Sequence, residues 1–225
     1  HPGLPPAFYE VRARGVGRSV YSFCMCPGGW IVPAATEAEG LVVNGMSLAR
    51  RESPYANAAM VVPVQSLDCG PSSQGPLAGI DFQRRIEERA FVRGGGGFRA
   101  PAQRLVDFLK GRASDTLPVS SYRPGLQAAV LDDIFPPFVV AALREGLEEI
   151  GRRLPGFIHE EAVLVAAETR TSAPVRILRD PACLQSPSLA GVYPAGEGAG
   201  YAGGIISSAL DGVRVANAII ARAGC

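Results

Sequence analysis

The spacing of apolar and polar positions divides the chain into an early strand-like part and a later helical part. From residue 8 to residue 65, short alternating runs such as 19–23 are separated by glycine and proline, which is typical of strands. The loop at 14–18 between the first two runs predicts a hairpin, and Asn44-Gly45 predicts a further turn. We therefore expect a mostly antiparallel sheet in this part.

Helical spacing dominates from residue 80 to residue 155. A Pro/Gly/Ser-rich linker at 71–79 precedes it, and Asp81 is placed to cap the first helix. Pro101 is expected in the first turn of a second helix, because a proline there loses no hydrogen bond. The strongest helical pattern covers 136–153 and opens with two prolines.

The last part of the chain combines a short strand, a glycine-rich loop and a helix. An apolar run at 162–167 predicts a buried strand, and a second strand is expected at 189–193. Glycines then crowd the segment 196–204, and apolar residues recur at helical spacing from Ile205 onward. A loop that leads into a helix N-terminus presents free N–H groups, which favour an anion or a polarised carbonyl.

Gly198, Gly200 and Gly203 also spell the dinucleotide fingerprint G-x-G-x-x-G. That fingerprint opens a βαβ unit with a second strand and an acidic residue further on. We expect neither here, because the last helix runs to Cys225, where the sequence ends. The loop is therefore expected to serve a cofactor whose other half is held elsewhere. The alternative is an ordinary tight turn with a solvated Glu197.

Composition and charge exclude several classes of protein. The 225 residues are 47% hydrophobic and 19% charged, as in a globular protein. A net charge of +1 gives no sign of a basic surface that would bind nucleic acid or a membrane surface. No apolar run approaches the roughly 20 residues that span a bilayer. The five cysteines lack the spacing of a disulfide framework, which favours the cytoplasm as the location. No metal site is expected. Because the sequence opens with His1, we expect a fragment or a processed chain.

Long stretches of the sequence resemble one family. They are VYSFCMCPGGWIVPAATEAEGLVVNGMS, PLAGIDFQRRIEERAF, RAPAQRLVDFL, ETRTSAPVRI and YPAGEGAGYAGGIISSALDGVRVANAI. These are similar to the C-terminal portion of bacterial FAD-dependent dehydrogenases of the two-dinucleotide-binding-domain type, known as the FAD-dependent protein C-terminal domain. The resemblance implies a flavoprotein oxidoreductase whose partner is a Rossmann part, N-terminal to this chain, that carries the adenine half of FAD.

The resemblance also implies where cofactor and substrate lie. FAD is expected against Gly196, Glu197, Gly200, Tyr201, Ala202, Gly203, Gly204 and Ile205. Substrate-side candidates are Cys24 and Cys26, which share a face if they lie on a regular strand, and Thr169 and Arg170, which follow a buried strand. The alternatives are two small apolar residues packed in a sheet and a polar loop with a surface salt bridge. No catalytic residue is assigned.

The expected fold is mixed α+β. Residues 1–188 are expected to form an antiparallel-strand-rich substrate domain, strand-rich at 8–65, helical at 80–155, with a strand and loop at 160–180. Residues 189–225 are expected to complete a nucleotide-binding sheet. The expected function is the C-terminal portion of an FAD-dependent oxidoreductase acting on a small molecule, inactive alone. The alternative is a cofactor-free binding module that retains this fold.

Overall fold

The structure is a computed structural model that describes residues 11–14, 17–70 and 75–223. These residues fall into two compact units. The first unit holds the described residues up to Gln65 and those from Arg84 to Thr169. The second unit holds those from Ser66 to Gln83 and from Arg170 onward. The combination of antiparallel sheets and helices confirms the α+β class expected from the sequence.

The strands of the described residues all lie in the first unit. They are β1 (Arg12–Arg14), β2 (Ser19–Pro27), β3 (Gly29–Pro33), β4 (Val43–Ser47), β5 (Ala56–Val61), β6 (Ala100–Arg104), β7 (Leu126–Ala128) and β8 (Val163–Val165). The helices are α1 (Ala78–Arg93), which crosses the boundary between the units, α2 (Leu105–Leu109) and α3 (Pro137–Arg153) in the first unit, and α4 (Ile205–Ala223) in the second.

Three small sheets are formed by these strands. In the first sheet β2 pairs antiparallel with β1 and β5, and β3 and β4 pair antiparallel in the second. In the third, β6 lies between β7, to which it is parallel, and β8, to which it is antiparallel. The pairing of β1 with β2 confirms the hairpin expected around 14–18, of which residues 15–16 lie outside the described residues.

Helix α3 provides a large part of the core of the first unit, as its periodicity predicts. Its buried positions recur every three or four residues: Val139, Val140, Ala142, Leu143, Gly146, Leu147 and Ile150. Pro137 opens the helix, where its missing N–H leaves no bond unmade. Gly146 allows close packing on β2, because a Cβ there would lie 2.4 Å from Cγ2 of Val20.

The prediction of a helix that begins at Pro101 is wrong. Residues Ala100–Arg104 form β6, and only α2 after it is helical. Proline is disfavoured in central strands because it has no N–H to donate, but the Pro101 carbonyl accepts the N–H of Ala166 at 3.0 Å. Pairing with two strands that are distant in sequence therefore outweighs the local pattern.

The turn expected at Asn44-Gly45 is also wrong, since both residues lie within β4 and pair with β3. Glycine is required at position 45 because the side chain of Asn57 approaches the backbone there. A Cβ at this position would lie 2.2 Å from Oδ1 of Asn57 on β5. The glycine that suggests a turn in the sequence thus allows a neighbouring side chain to reach the strand backbone.

Helix α1 begins earlier than the sequence pattern suggests. It starts at Ala78, so Asp81 lies in its first turn and is not its cap. A carboxylate in this turn still interacts favourably with the positive end of the helix dipole. The expected linker at 71–79 therefore ends before Ala78, and residues 71–74 lie outside the described residues.

The second unit holds no strand among its described residues. The strand expected at 189–193 does not form: the segment is irregular, and Leu189 and Val192 are exposed. A strand needs neighbours for its N–H and C=O groups, and the described residues of this unit offer none. Helix α4 forms as expected. No helix in the described part of the chain has the length and apolar character to cross a membrane.

Candidate functional site

The glycine-rich segment 196–204 is a tight turn that leads directly into α4. The Tyr201 N–H donates to the Gly196 carbonyl at 3.0 Å, and the Gly200 N–H donates to the Glu197 carbonyl at 2.8 Å. Gly196 and Gly200 have φ values of 70° and 80°, which favour glycine. A Cβ on Gly200 would also lie 2.4 Å from the Val175 carbonyl oxygen. The turn itself therefore explains these two glycines.

The other glycines of the loop have no comparable packing requirement. A Cβ added to Gly198 or Gly203 would meet nothing within 4 Å. At Gly204 the nearest atom would be Oγ of Ser207, at an ordinary contact distance of 3.8 Å. The main chain just before α4 is therefore open to a group that approaches from outside.

Helix α4 begins with N–H groups that have no acceptor among the described residues. The Ser208 N–H donates to the Gly204 carbonyl at 2.9 Å, which is the first bond of the helix. Within the described part of the chain, no acceptor pairs with the N–H groups of Ile205 and Ile206. Together with the positive end of the helix dipole, these donors suit an anion or a polarised carbonyl oxygen.

A buried ion pair fixes the loop to α4. The Arg179 guanidinium donates to both carboxylate oxygens of Asp211, at 2.9 and 2.6 Å, and the two side chains are only 4% and 10% exposed. Asp211 also accepts the Gly196 N–H at 2.9 Å, and Arg179 also donates to the Pro194 carbonyl at 2.8 Å. This bidentate pair therefore holds the start of the loop in one position relative to the helix.

The ion pair shifts the pKa of both partners. The hydrogen bond from Arg179, followed by the one from the Gly196 N–H, lowers the pKa of Asp211 to about 2. The hydrogen bond to Asp211 raises the pKa of Arg179 above its ordinary value. Asp211 is therefore ionised at neutral pH, and its ionised form stabilises the fold.

The lowered pKa of Asp211 gives an acid-dependent contribution to stability. A carboxylate whose pKa falls on folding stabilises the fold above its unfolded pKa of about 4, and this stabilisation is lost as pH falls towards 2. We expect the difference in unfolding free energy between the unsubstituted chain and Asp211→Asn to shrink across this interval. Denaturant titrations at several pH values measure it. A difference that stays constant from neutral pH to pH 2 would contradict the assigned pairing.

Tyr201 packs against two arginines that sequence reasoning missed. The guanidinium groups of Arg179 and Arg176 lie 3.7 and 5.1 Å from the centre of its ring. Nε of Arg176 also donates to the Gly200 carbonyl at 3.1 Å. Single arginines in an irregular segment have no spacing signal, so only the folded chain identifies them. Contact of Tyr201 with a cofactor stays a prediction.

The two substrate-side cysteines occupy different environments. Cys24 is exposed and Cys26 is buried, and the Cys26 thiol donates to the Cys24 carbonyl at 3.2 Å. A bulge lies between Phe23 and Cys26, and Cys24 has a φ of 46°. The expectation that both cysteines share a face is wrong, because a bulge breaks the alternation of a regular strand.

Thr169 and Arg170 are divided between the units. The Thr169 hydroxyl donates to Oε1 of Glu87 at 2.7 Å, and Glu87 is only 3% exposed. Thr169 is the last residue of the first unit, and Arg170 begins the C-terminal segment of the second unit. Glu87 gives no sequence signal beyond its place in a helix, so its bond to Thr169 is found only in the structure. A substrate-binding role for Thr169 and Arg170 stays a prediction.

Comparison with known proteins assigns this α+β chain to a family of flavin-related domains. Residues 1–171 match the family described as FAD-dependent protein, C-terminal domain-like, and the chain belongs to that family. The matched range ends before the loop at 196–204. An uncharacterized protein of Clostridium beijerinckii is 47% identical over 224 residues, which cover 98% of this chain and 42% of that protein. The chain thus spans less than half the length of this relative.

Proposed function

We propose that this chain is the C-terminal portion of an FAD-dependent oxidoreductase, and that segment 196–204 and the first turn of α4 bind the flavin end of FAD. One observation carries the proposal: open main chain at Gly203 and Gly204 leads into unpaired N–H groups at Ile205 and Ile206. Membership of a family described as FAD-dependent supports it.

The donor set of the loop fits the polar parts of FAD. The N–H groups of Ile205 and Ile206 suit a ring carbonyl oxygen. The Glu197 carboxylate, which has no hydrogen-bond or ion-pair partner among the described residues, suits sugar or ribityl hydroxyls. The Arg179–Asp211 pair orients these groups. FAD, when bound, supplies the hydride chemistry, and the residues of this chain supply its position.

The surface of α4 supports a partner in the parent protein. The helix exposes large apolar side chains along much of its length: Ile205, Ile206, Leu210, Val213, Ile219 and Ile220. So many apolar side chains on one helix are typical of a surface that is covered in a larger protein. In the proposal, a Rossmann part of the parent covers this helix and holds the adenine half of FAD. The proposed setting is the cytoplasm, and the proposed substrate is a small molecule.

Replacing Gly203 with valine in the full-length parent protein tests the flavin site. A branched side chain there would occupy the open space in front of the loop, so we expect FAD affinity to fall by about tenfold or more. The measurement is the visible flavin absorbance of the purified protein, followed by titration with FAD. Gly40→Ala in the first unit is the control, because a Cβ at Gly40 would meet its nearest atom, the Glu37 carbonyl oxygen, at an ordinary contact distance of 3.7 Å.

Retention of flavin by both variants to the same extent would overturn the assignment of the loop. If the full-length protein carried no flavin and bound none on titration, the cofactor-free binding module would be the better description. The isolated chain is expected to bind FAD weakly, since the residues proposed to hold the adenine half lie outside it.

A further inference from the structure

A pocket of about 360 Å³ lies in the first unit, beside the β3–β4 hairpin. Its wall includes Trp30, Val32, Met46, Leu48, Ser121 and Arg123. Its volume is at the small end of the range for ligand sites, roughly 300–1,000 Å³. From the chemistry of this wall we infer that the pocket binds a small monocarboxylate with an apolar body.

The wall of the pocket is mainly apolar and partly fixed in place. Trp30 pairs with Met46 across the hairpin, and the Trp30 ring packs against Tyr55 with ring centres 5.8 Å apart. Met46 and Leu48 are 53% and 61% exposed. Large apolar side chains exposed around a hollow mark a surface that a ligand can cover. This wall favours an aromatic or short aliphatic body.

Among the residues that the structure describes, Arg123 is the one charged residue that lines the pocket. Its guanidinium lies 4.8 Å from the centre of the Trp30 ring, and it has no carboxylate partner among the described residues. By contrast, Arg112 and Arg144 of the same unit form close ion pairs with aspartates. An unpaired guanidinium above an apolar wall favours an anionic group, and its planar fork matches a carboxylate.

Ser121 adds a second polar group to the pocket. The residue is 4% exposed, and its Oγ accepts the Ile31 N–H at 3.0 Å. This bond fixes the hydroxyl oxygen, while the hydroxyl proton has no acceptor in the described part of the chain. A hydroxyl can accept one hydrogen bond and donate another. Because Ser121 lines the same pocket as Arg123, its hydroxyl is available to donate to a polar group of the ligand.

Calorimetric titration of the chain with phenylbutyrate tests this inference. We expect saturable binding, and a saturable change in fluorescence would locate it, because Trp30 is the single tryptophan of the chain. The neutral analogue phenylbutanol lacks the carboxylate, and inorganic phosphate lacks the apolar body. Each should therefore bind at least about tenfold more weakly than phenylbutyrate. No binding of phenylbutyrate, or equal binding of phenylbutanol or phosphate, would overturn the inference.

Substitution of Arg123 provides the matched comparison. Arg123→Met keeps much of the side-chain stem and removes the charge, and we expect phenylbutyrate to bind about tenfold more weakly. Arg152→Met, at an exposed arginine of α3 that does not line the pocket, should leave binding unchanged. Equal affinity of the two variants would count against the site. The pocket lies wholly within the first unit, so this result is independent of flavin binding at 196–204.

Discussion

Replacing Arg179 with methionine is expected to lower the free energy of unfolding by about 4 kcal/mol, because it leaves the buried Asp211 carboxylate without its cation. The Pro194 carbonyl and the Tyr201 ring also lose a contact. Denaturant unfolding at neutral pH measures the effect. We expect the second unit to be the part of the chain that is destabilised, since all of these groups belong to it.

Two further variants separate the ion pair from general contacts with Tyr201. Arg176→Met also removes a guanidinium near this ring, but Arg176 is exposed, so we expect a loss of less than about 1 kcal/mol. In the double variant Arg179→Met with Asp211→Leu no charge is left unpaired, so it should be more stable than Arg179→Met alone. If Arg179→Met were no worse than Arg176→Met, the pair would not anchor the loop.

Gly146→Ala is expected to destabilise the chain by about 2 kcal/mol, although alanine favours helix by about 1 kcal/mol over glycine. The added Cβ would lie 2.4 Å from Cγ2 and 2.7 Å from Cβ of Val20. Val20 is fully buried, so its side chain has no free space to enter. Helix α3 would have to move away from β2, with loss of packing between them.

A double-mutant cycle tests whether this contact is the cause. Val20→Ala alone should lower the free energy of unfolding by about 2 kcal/mol through loss of buried apolar surface. Combined with Gly146→Ala, the loss should be smaller than the sum by at least about 1 kcal/mol, because the new methyl group occupies the vacated space. Gly212→Ala on α4 is the control and should be neutral or stabilising. Additive losses would contradict the packing argument.

Strong periodicity in the sequence predicts those elements whose buried positions repeat regularly along the chain. Helix α3 is amphipathic and opens at Pro137, so its bounds follow from the sequence. Pro101 and Gly45 mislead because their roles depend on distant residues. The position of Pro101 in β6 is set by pairing with β7 and β8, and Gly45 is required by the approach of Asn57. Turn and helix signals describe neighbours in sequence, whereas these two positions are determined by neighbours in space.

The same limit applies to the candidate site. The density of glycines at 196–204 and the apolar spacing of α4 predict a loop before a helix, which the structure contains. The ion pair that holds this loop is not predictable, because Arg179 and Asp211 are 32 positions apart and nothing in the sequence marks them as partners. The expected strand at 189–193 does not form, because the described residues of the second unit contain no strand with which it could pair.

The chain passes between its two units more than once, and this affects how it can be cut. The described residues between 66 and 83 belong with the segment from Arg170 onward, not with the residues that flank them in sequence. At Gly79 this closeness is visible, since a Cβ there would lie 2.8 Å from the Pro174 carbonyl oxygen. A truncation after residue 171, where the family match ends, would therefore remove most of the segment with which this internal stretch forms a unit. Expression boundaries chosen from family limits alone would divide the second compact unit of this chain.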